Sequence, residues 1–355
     1  MDDDLQYDPA GPVLVVGGYG TVGAELARLA APSWPLLLTG RTPGRGRALA
    51  NELGADVRRW DLGDAEPFSA RPRAVVGTVN DHDDRVLRAA LRGGVPYVDI
   101  TRWTTRLQRA LAVAAVTPPR APVLLSSGWM GGVSPLVAAA LADGLGGASS
   151  VEIAVRYDLR DRAGADSVEF MDRLGLDYEV TEGGRRRPVT PLSGAGRVTI
   201  GGHRTTVARI DTPEQFTLPA ALGVDTAVTR IGFSATASTT ALLALGRTGF
   251  FRWGRGDRFR ALRRSLLYSP GEGGTALVRV DVRGRGAAGE HRTAVVRDPA
   301  GQAHLTAVGA LLGLRRVLGE DGAPAPAGVT FPEATPRPGL VLTALEKAGA
   351  EVTVA

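Results

Sequence analysis

Seven consecutive residues near the N-terminus, Gly17-Gly18-Tyr19-Gly20-Thr21-Val22-Gly23, have the types and spacing to hold a phosphate with backbone alone. In such a turn the first glycine permits a tight reversal, the middle one lets backbone approach a pyrophosphate, and Gly23 lets the following helix pack closely on the strand. The N–H groups at the start of that helix carry partial positive charge and favour an anion. The flanking residues agree. Val13-Leu14-Val15-Val16 is an apolar strand, Val22, Leu26, Leu29 and Ala30 recur at helical spacing before Pro32, and Trp34-Pro35-Leu36-Leu37-Leu38 supplies the next buried strand. The unit is that of a dinucleotide site.

The end of the second strand selects the cofactor. An NAD site places Asp or Glu roughly 20 residues past the glycines to accept from the ribose 2′-hydroxyl, whereas an NADP site keeps a carboxylate away from the 2′-phosphate. Here the slot holds Gly40-Arg41-Thr42. Arg41 offers a planar guanidinium for bidentate phosphate binding and Thr42 a hydroxyl, with Arg45 and Arg47 adding positive potential. NADP(H) is the expected cofactor.

Further strands are expected at 57–61, 74–80, 96–100 and 122–125, with helices over 83–91 and 105–115 between them, so that each strand returns parallel to the last. Ligands lie at the carboxyl ends of such strands. That places Asp61, Thr78, Asn80, Asp99, Thr101 and residues 126–132 near the glycine turn. Asp61 reads equally as an adenine contact or a turn carboxylate.

Composition bounds the rest. The chain has 355 residues, 44% of them apolar, enough for two domains. It has no cysteine, which removes disulfides, thiolate catalysis and cysteine-ligated zinc, and no apolar run long enough for a bilayer, so a cytoplasmic enzyme without membrane attachment is expected. The 42 basic residues are interspersed with 37 acidic ones without a basic stripe, which argues against nucleic acid. Residues 1–11 read as an acidic tail and 12–135 as the dinucleotide domain. Over 136–325 the texture becomes α+β. Hairpins are expected at 198–200 with 205–207 and at 276–280 with 292–296, and helices near 235–247, 258–267 and 303–318 would cover one sheet face. The last segment, 326–355, carries a helix over 339–348 that Gly349 ends.

The glycine turn, Gly40-Arg41, Gly94-Val95-Pro96-Tyr97-Val98-Asp99 and Gly128-Trp129-Met130-Gly131-Gly132-Val133-Ser134-Pro135-Leu136 occur in an order and spacing that resemble the saccharopine dehydrogenase-like reductases. Weaker similarity continues at Asp211-Thr212-Pro213-Glu214 and Gly328-Val329-Thr330-Phe331-Pro332-Glu333. The resemblance implies a Rossmann-type doubly wound parallel sheet, an α+β mixed-sheet substrate and dimerisation domain, and a C-terminal segment returning to the first domain. It also implies an NADP-binding homodimer and, in some members, reduction of an imine formed between an amino acid and a carbonyl partner. Gly131-Gly132 stands where relatives usually carry Pro-Gly, so substrate identity does not transfer.

Acid–base groups are few. The Tyr-x-x-x-Lys arrangement is excluded because the only lysine is Lys347 and Thr343 precedes it by four, and His82, His203, His291 and His304 lack metal-ligand spacing, so no metal is expected. Reduction of a protonated imine needs little more than NADPH and one proton donor. Asp99, which the resemblance points toward the nicotinamide, reads equally as an iminium-stabilising carboxylate or a strand-end aspartate bonded to backbone. Tyr157 and His304 are further proton-donor candidates, Arg156 and Arg160 could hold a substrate carboxylate, and Thr101, Trp129 and Met130 could border the substrate. The function expected is imine reduction on a small molecule, with C=O or C=C reduction and a non-catalytic NADP sensor as alternatives.

Overall fold

The computed structural model describes residues 3–161, 173–253, 271, 273–286 and 289–355. Two compact units divide the chain, one of residues 1–133 with 306–337 and the other of 134–305 with 338–355.

The first unit carries strands β1 (Asp4–Leu5), β2 (Val13–Val16), β3 (Leu36–Gly40), β4 (Asp56–Arg59), β5 (Ser69–Ala70), β6 (Ala74–Gly77), β7 (Tyr97–Asp99) and β8 (Pro122–Leu125). The second carries β9 (Ala148–Tyr157), β10 (Tyr178–Glu182), β11 (Arg185–Val189), β12 (Gly196–Ile200), β13 (His203–Arg209), β14 (Thr226–Phe233), β15 (Ala276–Gly284) and β16 (His291–Asp298). Two late strands follow, β17 (Gly328–Thr330) in the first unit and β18 (Glu351–Val354) in the second.

A seven-stranded sheet in the order β17-β8-β7-β6-β2-β3-β4 forms the first unit, and every pair in it is parallel. Its central strands are continuous apolar runs, as a sheet covered on both faces requires; Val13, Leu14 and Val15 are inaccessible to solvent. The edge strand β4 has three charged residues in four and is largely exposed. Helix Thr21–Ala30 buries Gly23, Leu26, Ala27 and Ala30, one stripe at helical spacing. The expected helices appear as Arg85–Gly93 and Thr104–Val116.

Three expectations about boundaries are corrected. The described part of the expected acidic tail, residues 3–11, is tied down: β1 pairs with β5, Leu5 is buried, and the Asp3 carboxylate accepts from the Arg85 guanidinium at 2.7 and 2.9 Å. The helix expected over the second sheet forms as Gln302–Val317, but its Ala307, Ala310, Leu311, Leu314 and Val317 complete the core of the first unit. The final segment splits: β17 extends the parallel sheet beside β8, while β18 pairs with β16. The last helix, Val341–Lys347, precedes Gly349 in a left-handed conformation.

The second unit is a mixed seven-stranded sheet ordered β12-β13-β14-β9-β15-β16-β18, in which only β14 and β9 run parallel. Both expected hairpins are present, as β12–β13 and β15–β16. Helix Thr236–Arg247 forms where expected, and the expected helix 258–267 lies outside the described residues.

Candidate functional site

Strand order reverses between β2 and β6, and the loops leaving these two strands meet there. That is the point at which open parallel sheets bind ligands. Gly17 turns with φ +83°, and a Cβ on it would run into Val79 and stand 2.9 Å from Thr78 Oγ1. Its N–H and that of Gly18 donate to Thr39 O at 2.9 and 3.1 Å, tying the turn to β3. Gly20 occupies the position just before the helix, and Ala24 N–H is the first to bond back, to Gly20 O at 2.9 Å. The amides of Thr21, Val22 and Gly23 therefore open the helix. A Cβ at Gly23 would collide with the Gly17 carbonyl and lie 2.9 Å from Gly18 Cα, whereas one at Gly20 would meet only Gly17 O, at 3.2 Å. The turn is tight underneath and open above, as a pyrophosphate cradle needs.

Arg41 and Thr42 follow β3 and are exposed, and the Arg41 guanidinium has no partner among the described residues. Asp61 follows β4; its carboxylate accepts from Gly63 N–H at 3.0 Å, the geometry of a turn. Beyond β6, the Thr78 hydroxyl donates to Val16 O at 2.8 Å and Asn80 accepts from Arg106.

Asp99, which reads equally as an iminium-stabilising or a strand-end carboxylate, is held by protein groups on both oxygens. Its carboxylate is buried and accepts four hydrogen bonds: from Tyr97 Oη at 2.6 Å, Arg102 Nε at 2.7 Å, and Thr101 N and Oγ1, both at 2.9 Å. Arg102 is itself inaccessible and reaches on to Asp84, whose backbone stands in the left-handed region at φ +55°. Burial works to raise the Asp99 carboxyl, but Arg102 and the hydrogen bonds from Tyr97 and Thr101 outweigh it, and the group sits below the ordinary aspartate value. Burial and the neighbouring Asp99 charge push the Tyr97 phenol well up. The pair is a structural anchor beneath the loops after β6 and β7, and its lone pairs are committed. Asp81, also buried, accepts from the Arg85 and Val86 amides, and burial raises its carboxyl.

After β8 the chain makes an unusual turn. Met130, Gly131 and Gly132 are successively left-handed, at φ +55°, +63° and +91°. Ser126 Oγ donates to Gly131 O at 2.8 Å. A Cβ on Gly131 would stand 2.5 Å from Thr306 O and one on Gly132 2.7 Å from Pro332 Cγ. Met130 is buried and Trp129 partly so.

In the second unit, Arg156 and Tyr157 end β9. Arg156 pairs with Gly232 and Leu277 in mid-sheet, and its guanidinium has no partner among the described residues. The Tyr157 ring meets Phe233 edge-on at 5.9 Å. Arg160 is 82% exposed and bonded at 3.2 Å to Asp158. His304 Nδ1 lies 2.7 Å from Asp298 Oδ2, and that carboxylate is 1% exposed, an arrangement that fixes the imidazole and its tautomer. Sequence reading missed Asp298, Arg102 and Asp84. Only the i,i+3 spacing of Asp99 and Arg102 hinted at the buried pair. Among the described residues no cluster of three or more His, Asp or Glu could hold a metal.

No protein-family model and no curated protein matches the sequence. Among solved structures, the chain is similar to apo saccharopine dehydrogenase (L-Glu forming) from Saccharomyces cerevisiae, with a TM-score of 0.67 at 12% identity over 97% of this chain and 100% of that one. A putative myo-inositol dehydrogenase from Sinorhizobium meliloti scores 0.45 at 15% identity, covering 95% and 94% of the two chains. An oxidoreductase from Agrobacterium radiobacter in complex with NAD+, L-tartaric acid and magnesium scores 0.40 at 13%, covering 97% and 98%. The first likeness establishes the architecture: a Rossmann-type unit and a mixed-sheet unit together make the saccharopine dehydrogenase-like fold that the sequence motifs resemble.

Proposed function

We propose that the chain is an NADPH-dependent oxidoreductase that delivers hydride to the C=N bond of an imine formed between an amino acid and a carbonyl compound. The observation that carries this reading is the glycine turn at the strand-order switch with a free Arg41 guanidinium, in place of a carboxylate, at the end of β3. The likeness to a saccharopine dehydrogenase over the full chain supports the reaction class.

The residues present fit the cofactor. Residues 17–23 would hold its pyrophosphate, Arg41 and Thr42 its 2′-phosphate, Asp61 its adenine, and Thr78 and Asn80 its nicotinamide ribose. Bound there, the cofactor supplies hydride. The protein supplies orientation and a proton. Trp129 and Met130 would form the apolar wall of the substrate site, with Thr101 bordering it. In the second unit, Arg156 would hold a substrate carboxylate, with Tyr157 next to it in the chain. His304, with Nδ1–H held by Asp298, would as the imidazolium give its Nε2 proton to the amine, leaving the neutral ring.

The test is NADPH oxidation with amino acids and carbonyl compounds, singly and in pairs. The reading requires both co-substrates. Turnover with the carbonyl compound alone would indicate C=O reduction, and tight NADPH binding without turnover on any pair would indicate a sensor.

A further inference from the structure

Tyr19 belongs to the phosphate turn, but its side chain lies across the next loop, residues 40–46. A Cβ built on Gly40 would stand 2.5 Å from Tyr19 Oη, and one on Gly46 would stand 2.5 Å from Tyr19 Cδ1. The ring thus occupies the space that side chains at both positions would need, and Gly46 immediately precedes helix Arg47–Leu53. The phenol oxygen accepts the Thr42 N–H at 3.0 Å. A phenol that accepts one hydrogen bond still has its own proton to donate, and among the described residues none accepts it.

The surroundings favour an anion as the acceptor. Burial raises the Tyr19 pKa, while the Thr42 hydrogen bond and the nearby Arg45 and Arg41 guanidinia work against that rise. The phenol therefore keeps its proton at neutral pH with two cations beside it. Neither guanidinium has a partner among the described residues, and both residues are exposed. The acid on this side, Asp61, is engaged by Gly63 N–H. Two unpaired guanidinia and an oriented O–H donor, converging at the end of β3, match a phosphate dianion, which takes several charge-assisted bonds at once.

We propose that Tyr19 is a direct ligand of the cofactor's 2′-phosphate, its hydroxyl oriented by the Thr42 amide to donate alongside Arg41 and Arg45. The inference rests on the NADPH reading and adds a ligand that selects the phosphate by donating a hydrogen bond rather than by charge.

Adenosine 2′,5′-bisphosphate and 5′-AMP differ only in the 2′-phosphate and serve as probes by calorimetry, with no turnover needed. The parent should bind the bisphosphate at least about tenfold more tightly. Tyr19→Phe keeps the ring and its packing, and should narrow that ratio about three- to tenfold through weaker bisphosphate binding, with 5′-AMP affinity and melting temperature unchanged. Gly46→Ala, which displaces the ring, should narrow it too. A ratio unchanged in a folded Tyr19→Phe protein, or an equal weakening of both probes, overturns the inference and leaves the NADPH reading standing. Equal affinities in the parent overturn both.

Discussion

Gly20 and Gly23 sit three residues apart in one turn, and the structure assigns them opposite burdens. Gly20 has φ −76°, ordinary for any L-residue, and a methyl there would meet only Gly17 O at 3.2 Å. Gly20→Ala should therefore fold, losing at most about 1 kcal/mol from a poorer cap. The methyl would, however, project over the amides that open the helix. Losing one charge-assisted hydrogen bond to a phosphate costs about 1.5–3 kcal/mol, so NADPH affinity should fall roughly 10- to 100-fold. At Gly23 the obstacle is backbone, the Gly17 carbonyl and Gly18 Cα, which cannot rotate away. Alanine's better helix propensity contributes about 1 kcal/mol, whereas forcing the helix off the strand costs about 1–3 kcal/mol. Gly23→Ala should lose stability overall. Urea unfolding and NADPH calorimetry on both variants form the assay. Parental affinity in Gly20→Ala together with undiminished stability in Gly23→Ala would refute the placement of the phosphate cradle.

Arg41→Ala should weaken NADPH about tenfold and leave NADH unchanged, read as a ratio of dissociation constants. Asp99→Asn should cost about 1.5–3 kcal/mol in urea unfolding, because it removes one of the two carboxylates that hold the buried Arg102, Asp84 being the other. Since the Asp99 pKa is depressed in the folded protein, its contribution to stability should be complete above the unfolded aspartate value and lost as pH falls below it, a slope that Asp99→Asn lacks. Arg156→Ala should weaken substrate by about 1.5–3 kcal/mol, seen as a raised KM, with NADPH affinity intact. Asp298→Asn should lower kcat at least about tenfold without altering cofactor affinity, and an unchanged kcat would remove His304 from the chemistry. Sedimentation should give twice the 37.0 kDa chain mass, as the homodimer expected from the resemblance requires.

The parallel sheet was legible because buried strands such as Val13–Val16 are unbroken apolar runs between turn residues, and the glycine turn because its constraints are local. Helix Gln302–Val317 was legible as a helix but not in its destination: periodicity reveals an apolar stripe, not the sheet it covers. The two-residue β1 and its Asp3–Arg85 pair were hidden because an acidic start reads as solvated, and long-range pairing leaves no local pattern. Asp99 illustrates the same limit at the site. Strand-end position alone did not distinguish a reactive carboxylate from one bound by Tyr97, Thr101 and Arg102, because the decisive partner is a buried arginine in a polar stretch.

The left-handed run after β8 has a bearing on how such a protein can change over generations. Gly131 and Gly132 are hemmed in by Thr306 and Pro332 and held at backbone angles that side chains resist, so in this backbone a side chain at either is costly. Met130, left-handed yet carrying a side chain, bears an intrinsic strain of about 1–2 kcal/mol that its burial offsets. In this loop Trp129 is then the position where substitution meets the least resistance from the backbone. If Trp129 borders the substrate as proposed, diversification of substrate preference, natural or in the laboratory, would pass through that residue first, and libraries spread evenly over 129–132 would lose most of their members to misfolding.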